Sequence, residues 1–342
     1  MTILEEAAQT SITKILIYLC LPLTVAVVFW YMIGFSEDNS ICHKNYDDGG
    51  KVVCHPACPS RHFCIPGMTE CRPWLACQDF QSVHFRVGKL IAKSAVKMVY
   101  QAEWKGHTIV LISLANSEYR KDFLHGLDML TAFQGSQYVT QLLGSCDDSY
   151  VTEYHRLGSV KNVNRILQMS QYKELNNIQG RLGLCINYAA IINYFHTSPR
   201  GTRVMCDSNY LEKTLSQYLL HDDLSIVAND LDALPKIDRS TGLLIRCGHR
   251  QIYGDFPAPE QRWPYNDHNF TDLEMPPYDE KTDIWKIPDV CSFFLDDVPG
   301  SDGVRFHLFK IHRQCKEHSP DLRPTAKEVL ETYREVHRKL VS

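Results

Sequence analysis

Three groups of residues in this chain are of types that could do chemistry. Asp207 lies in RVMCDSNYLEKTLSQYLL, with Lys213 and the amide of Gln217 after it. Asp230-Leu231-Asp232 follows the apolar run Ile226-Val227-Ala228. Lys97 stands in AVKMVYQ, a stretch that reads as a strand. Carboxylate and amide oxygens suit a hard cation such as magnesium. A further carboxylate can take a proton from a hydroxyl, and an ammonium can neutralise phosphate. Phosphoryl transfer asks little more of a protein than these parts, held in place. The plainer readings are a solvated acidic turn for Asp230 and a surface lysine for Lys97.

Such groups act only if distant segments bring them together. From about residue 83, VHFRVGKLIAKSAVKMVYQAEWKGHTIVLISL is rich in β-branched and aromatic residues, with a turn at Lys105-Gly106. It predicts successive antiparallel strands. EYRKDFLHGLDMLTAF has helical spacing, and YVTEYHRLGSV returns to strand and turn. The second half is mostly helical: Leu182, Cys185, Ile186, Ala189 and Ile192 fall on one face. Ala326, Val329, Leu330, Tyr333, Val336 and Leu340 form a stripe after Pro324, which suits a helix start. The fold expected is α+β: a small antiparallel β lobe, a large helical lobe, and a cleft between them.

Four motifs carry a resemblance. YVTEYHRLGSV resembles the hinge that joins the lobes of protein kinases. Ala258-Pro259-Glu260 resembles the end of their activation segment, YDEKTDIW with Asp283 the helix that follows, and LRPTAKEVL with Arg323 the closing motif. In this order, over residues 83 to 340, they identify the chain as a member of the protein-kinase fold family. The resemblance implies a structural ion pair between Glu260 and Arg323. It implies Asp230 as a metal ligand, Asp207 as the base, and the hinge residues Glu153 and Tyr154 as part of the nucleotide site. Gln217 takes the place of the metal-binding Asn after an insertion of about five residues, and Lys213 lies near the place of the loop lysine.

The same resemblance exposes departures. Met205-Cys206 replaces the His-Arg before the base, and Asp232 replaces a glycine, adding a second acid near the metal. The strand that should end in the phosphate-binding lysine reads Ile109-Val110-Leu111-Ile112. Ala92, Ser94 and Lys97 occupy the three positions of the glycine-rich loop. Lys97 matches the position from which the with-no-lysine kinases supply their lysine. The count for its acidic partner on the following helix reaches Gly126, which carries no acid; Asp128 and Glu118 are the neighbouring candidates.

Ahead of this unit, residues 15–36 carry no charge and are long enough to span a bilayer, with Trp30 and Tyr31 near one end. Of thirteen cysteines, Cys42, Cys54, Cys58, Cys64, Cys71 and Cys77 crowd the stretch that follows. Such density reads as disulfides in an oxidising lumen, with zinc as the competing use. Asn269-Phe270-Thr271 is an acceptor triplet for N-glycosylation. The organisation expected is a cytoplasmic tail (1–14), an anchor (15–36), a Cys-rich lumenal stem (37–80) and a kinase-like domain (81–342), its lobes meeting at 154/155. Apolar content of 44% and charged content of 22% describe a globular chain, and a net charge of −4 gives no nucleic-acid partner.

The anchor, the Cys-rich stem, the displaced lysine, MCDSN with its insertion, NDLDALP and GDFPAPEQ together resemble the protein O-mannose kinases. That resemblance implies a single-pass type II protein of the endoplasmic reticulum that uses ATP with magnesium, or manganese as the alternative ion. It implies phosphate transfer to the 6-hydroxyl of O-linked mannose in the GalNAc-GlcNAc-Man trisaccharide of α-dystroglycan. A pseudokinase that only binds glycan or protein is the other reading, motivated by Ile112 and the poor glycine loop. Trp263 and Tyr265 suit a sugar face but more simply suit packing.

Overall fold

The computed structural model describes residues 43–46, 52–55, 58–248 and 250–341. Residues 15–36, expected as the anchor, lie outside these. No described helix is long and apolar enough to cross a membrane.

A five-stranded antiparallel sheet forms the small lobe. Strands β1 (His43–Tyr46) and β2 (Val52–His55) pair as a hairpin, as do β3 (His62–Phe63) and β4 (Arg72–Pro73). After helix α1 (Cys77–Phe80) come β5 (Phe85–Lys93), β6 (Lys97–Trp104) and β7 (His107–Leu114). Helix α2 (Arg120–Ala132) then leads to β8 (Leu142–Cys146) and β9 (Ser149–Glu153), in the order β5-β6-β7-β9-β8. The β6–β7 turn is the expected one: Lys105 and Gly106 have φ of 50° and 84°, the two left-handed residues of a tight hairpin.

The central strand β7 has an apolar run because it is covered on both faces. Ile109 and Leu111 pack with Phe63, Ile65, Leu75, Trp104 and Val151, while Val110 and Ile112 join the core beneath α2 with Phe123, Met129 and Leu130. The period of two sends neighbours to opposite faces. One of those covers comes from the Cys-rich segment. Leu75 donates its N–H to the Leu143 carbonyl (2.8 Å) and accepts from Ser145 N (3.2 Å). A Cβ at Gly144 would stand 2.3 Å from the Leu75 carbonyl oxygen, so the close approach requires glycine there.

The disulfides depart from a self-contained stem. Cys58–Cys71 closes within the segment, but Cys77 reaches Cys146 at the end of β8, and Cys64 is a free thiol. Two further bridges, Cys185–Cys291 and Cys206–Cys247, lie in the large lobe.

The large lobe is built on α4 (Ile178–His196), after the short α3 (Val163–Ile166). Leu182, Cys185, Ala189 and Ile192 are buried as their spacing predicts, with Ile186 partly covered. Around it stand α6 (Lys281–Leu295), α7 (Ser301–Cys315) and α8 (Ala326–Val341). Helix α8 starts with a capping box: Glu328 N donates to Thr325 Oγ1 and Thr325 N to Glu328 Oε2. Pro324 therefore precedes the cap rather than opening the helix. Arg323 grips Glu260 through two bonds, Nη1 to Oε1 at 2.6 Å and Nη2 to Oε2 at 2.8 Å, as the kinase resemblance implied.

Candidate active site

The hairpin β10 (Tyr218–Leu220) and β11 (Ile226–Ala228) organises the acids. Its register pairs Tyr218 with Ala228, so the residue before one strand sits beside the residues after the other. The Gln217 carbonyl accepts from Asn229 N (2.9 Å) and Asp230 N (3.4 Å). Two expected metal ligands, Gln217 and Asp230, are thereby held together. The insertion that delays Gln217 folds as a short helix, α5 (Leu211–Ser216), which returns the chain to the catalytic loop.

Asp207 Oδ2 meets Lys213 Nζ at 2.7 Å and accepts from Gln217 Nε2 at 3.3 Å. Burial opposes the charge on Lys213, but Asp207 outweighs it and raises the lysine's pKa. The Gln217 amide nitrogen also donates to the Lys213 carbonyl (3.3 Å), whereas its Oε1 is buried without a hydrogen-bond partner among the described residues. A buried, unmatched acceptor beside an aspartate is what a hard cation would use. The residues present therefore fit magnesium.

Lys97 is no surface residue. It is 8% exposed, and its Nζ lies 2.8 Å from Asp230 Oδ1 and 2.6 Å from Asp232 Oδ1, the latter contact ionic and out of line for a hydrogen bond. Burial works against its charge, but Asp230, Tyr150 and Asp232 outweigh it and hold the pKa high. Burial, reinforced by the charge of Asp230, pushes Asp232 up to about 7 against the pull of Lys97. Burial also acts upward on Asp230, but Lys97 and then Lys213 bring it below the usual carboxylate range. Ile112, at the ordinary lysine position, is an apolar core residue.

The acidic partner of Lys97 comes from neither neighbouring candidate. Glu118 accepts a bond from Asn116 Nδ2, and Asp128 acts on the charge of Arg203. Asp232 supplies the acid, and Gly126 supplies the room: a Cβ there would lie 2.1 Å from Asp232 Oδ1. The position where a carboxylate was sought on α2 is filled by one from another element.

No protein-family model matches the chain. It is 54% identical over 282 residues to protein O-mannose kinase of Homo sapiens, covering 82% of this chain and 80% of that protein. The protein of the same name from Gallus gallus is 50% identical over 300 residues, covering 86% and 84%. That from Xenopus laevis is 50% identical over 282 residues, covering 82% and 80%. The chain belongs to the protein O-mannose kinase family.

Kinase activity follows from membership of that family. Other predicted residues are placed less directly. Ser94 Oγ accepts from Val96 N (3.2 Å) and Lys97 N (3.0 Å), closing the β5–β6 turn, while Ala92 pairs with Val99 within the sheet. Side-chain capping thus replaces glycine freedom in this turn. At the hinge, the Glu153 carboxylate accepts from Gln141 N (2.7 Å) and lies 3.6 Å from His155 Nε2. Burial opposes its ionisation, but His155 leads the groups that lower it to about 2. Tyr154 packs against the main core. Trp263 and Tyr265 cluster edge-to-face with each other, and Trp263 also meets His268 and Phe270.

Two residues that sequence reasoning gave no site role hold the catalytic loop. Asp283 Oδ2 accepts from Met205 N (3.1 Å) and approaches His196 Nε2 (3.2 Å). Lys286, one turn later on α6, donates to Ser208 Oγ at 2.5 Å. The available signal was a lysine inside the apolar helix KTDIWKIPDVCSFFL.

Proposed function

We propose that this kinase transfers the γ-phosphoryl group of ATP to the 6-hydroxyl of O-linked mannose in the GalNAc-GlcNAc-Man trisaccharide of α-dystroglycan, in preparation for its laminin-binding glycan. The observation that carries an active rather than a scaffold reading is Lys97, whose ammonium lies between Asp230 and Asp232 while Ile112 is apolar. A missing lysine and its replacement occur together.

Lys213 and Gln217 fix Asp207 through Oδ2, leaving Oδ1 to the acceptor hydroxyl. The mannose oxygen forms a bond to the γ-phosphorus as the bond to ADP breaks, and Asp207 takes the proton late. Asp230 and Gln217 would hold magnesium, which supplies neutralisation of phosphate charge when bound. Lys97 meets the phosphates from the β6 side. The hinge at Glu153 and Tyr154 borders the nucleotide.

The site of action is proposed to be the lumen of the endoplasmic reticulum, behind a type II anchor. Four disulfides among the described residues support an oxidising compartment. Asn269 and Thr271 are both exposed around a partly buried Phe270, so the acceptor triplet is accessible.

The test is transfer of radiolabelled phosphate from ATP to the trisaccharide by the full chain in detergent. Wild-type transfer, lost in Asp207→Ala and in Lys97→Ala, is expected. Trisaccharide binding without transfer would return the scaffold reading. For topology, cellular protein should shift in mobility after enzymatic N-glycan removal, and Asn269→Gln should abolish the shift; an unshifted wild type counts against the lumenal placement.

A further inference from the structure

Met205 and Cys206 offer no side-chain hydrogen bond to brace the turn that carries Asp207. Besides the Cys206–Cys247 bridge, the bracing comes from α6. Ser208 closes the turn on itself, donating its N–H to the Cys206 carbonyl (2.7 Å) and its Oγ–H to the Met205 carbonyl (2.6 Å). Asp283 accepts the Met205 N–H, and Lys286 donates to Ser208 Oγ. These two residues lie three apart on α6, so one helix face reaches both sides of Met205.

Lys286 is expensive to keep there. Its side chain is 1% exposed, and the nearest carboxylate oxygen, Asp283 Oδ1, is 3.9 Å away. Burial lowers its pKa to about 8. An apolar side chain of similar length would fill the space without that desolvation cost. A buried ammonium carrying that desolvation cost and bonded to the catalytic loop through Ser208 points to a role in the reaction.

We propose that Lys286 is a positioning residue for phosphoryl transfer, holding Asp207 in register with the acceptor through Ser208 and the Met205 carbonyl. The ammonium fixes the hydroxyl rotor of Ser208, since its donated proton obliges Oγ–H to turn toward Met205. Without it the hydroxyl can leave the carbonyl, and the turn carrying the base loses a brace. The proposal rests on Asp207 being the base.

The experiment is steady-state kinetics of the full chain, varying ATP and trisaccharide, for Lys286→Met, Ser208→Ala, the double variant and Asp207→Ala. Binding of magnesium-ADP is followed separately by thermal shift. Misplacement of a reacting group by about 1 Å costs on the order of 100-fold, so each single variant should lose roughly 10- to 100-fold in kcat. KM for ATP and the ADP-induced shift should stay within about twofold, because the defect is in orientation and not in nucleotide binding. The double variant should be no worse than the poorer single, since both lie on one path.

Wild-type kcat in Lys286→Met overturns the proposal, as do losses that multiply in the double variant. Lower nucleotide affinity in step with kcat would mark a general structural defect and overturns it too. If Lys286→Met does not fold, Ser208→Ala carries the test alone, since it removes one hydroxyl. Asp207→Ala separates the levels. Turnover retained there removes the base assignment itself, whereas a dead Asp207→Ala beside a normal Lys286→Met removes only the role of Lys286.

Discussion

Gly126→Ala should damage this enzyme although it improves the helix that carries it. Alanine in a helix interior is favoured over glycine by roughly 1 kcal/mol. The new Cβ, however, would lie 2.1 Å from Asp232 Oδ1 and 3.3 Å from its Cγ. Ordinary contact requires the oxygen to retreat by a little over 1 Å. Retreat away from Lys97 stretches an ion pair that now stands at 2.6 Å between groups whose side chains are 10% and 14% exposed. At an effective dielectric of about 20, lengthening the pair by that amount costs roughly 2 kcal/mol. If Lys97 needs that pair to stay aimed at the phosphates, kcat/KM for ATP should fall about 30-fold.

The assay is kcat/KM for ATP in a cycle of Gly126→Ala, Asp232→Gly and both. Gly126→Ala should cost its 30-fold only in the presence of Asp232. In the Asp232→Gly background the obstacle is gone, so adding Gly126→Ala should leave kcat/KM unchanged and raise thermal stability by the helix term. Equal losses in both backgrounds would falsify the claim that glycine is there to admit Asp232. So would wild-type activity in Gly126→Ala.

Gln217→Ala should raise the magnesium concentration for half-maximal activity by at least about tenfold, as loss of a metal-supporting group does. A lower kcat with unchanged magnesium dependence would mean that Gln217 acts only through Asp207. Replacing Cys206 and Cys247 by Ser removes a bridge across 41 residues, worth about 4 kcal/mol in the chain-entropy model. A large fall in melting temperature should result, with lower turnover because the bridge ties the catalytic loop to the activation segment; unchanged melting would show the segment held by other contacts. Lys286 titrates at about 8 when folded, below its ordinary 10.5. Between those values the unfolded chain binds more protons, so stability attributable to this group rises with pH across that window, by up to about 3 kcal/mol. Subtracting the unfolding profile of Lys286→Met should isolate that rise, and parallel profiles would place the lysine outside the buried cluster.

Lys97 was legible in the sequence because two signals coincided: an apolar residue where a lysine belongs and a lysine one strand away. The gathering of Asp207, Asp230 and Gln217 was legible because each lies within a few residues of a strand or turn that fixes its place. Asp232 as the partner of Lys97 was not. The search ran along α2, where position 126 has no side chain, and an empty position reads as a missing acid rather than as space for one. The disulfides were hidden for a different reason. Local density suggests that cysteines pair but carries no information on partners, and Cys77 finds its partner on β8 only because Leu75 docks beside Gly144. Lys286 was passed over because an apolar helix with one lysine reads as a core helix with a tolerated exception.

Lys97, Asp232 and Gly126 are best understood as one change. An ammonium arriving from β6 already meets Asp230, so its second acid must approach without adding an uncompensated carboxylate. Asp232 shares a turn with Asp230 and one lysine serves both, while burial and the charge of Asp230 hold its pKa up to about 7. A glutamate at position 126 would bring a third carboxylate against Asp230 and Asp232, and its Cβ would strike Asp232 first. Restoring the usual lysine at Ile112 would place an ammonium among Val110, Phe123 and Tyr150 in the core. Neither reversal works alone. What α2 contributes here is space, and among the described residues the carboxylates paired with Lys97 both come from the turn that would also hold the metal.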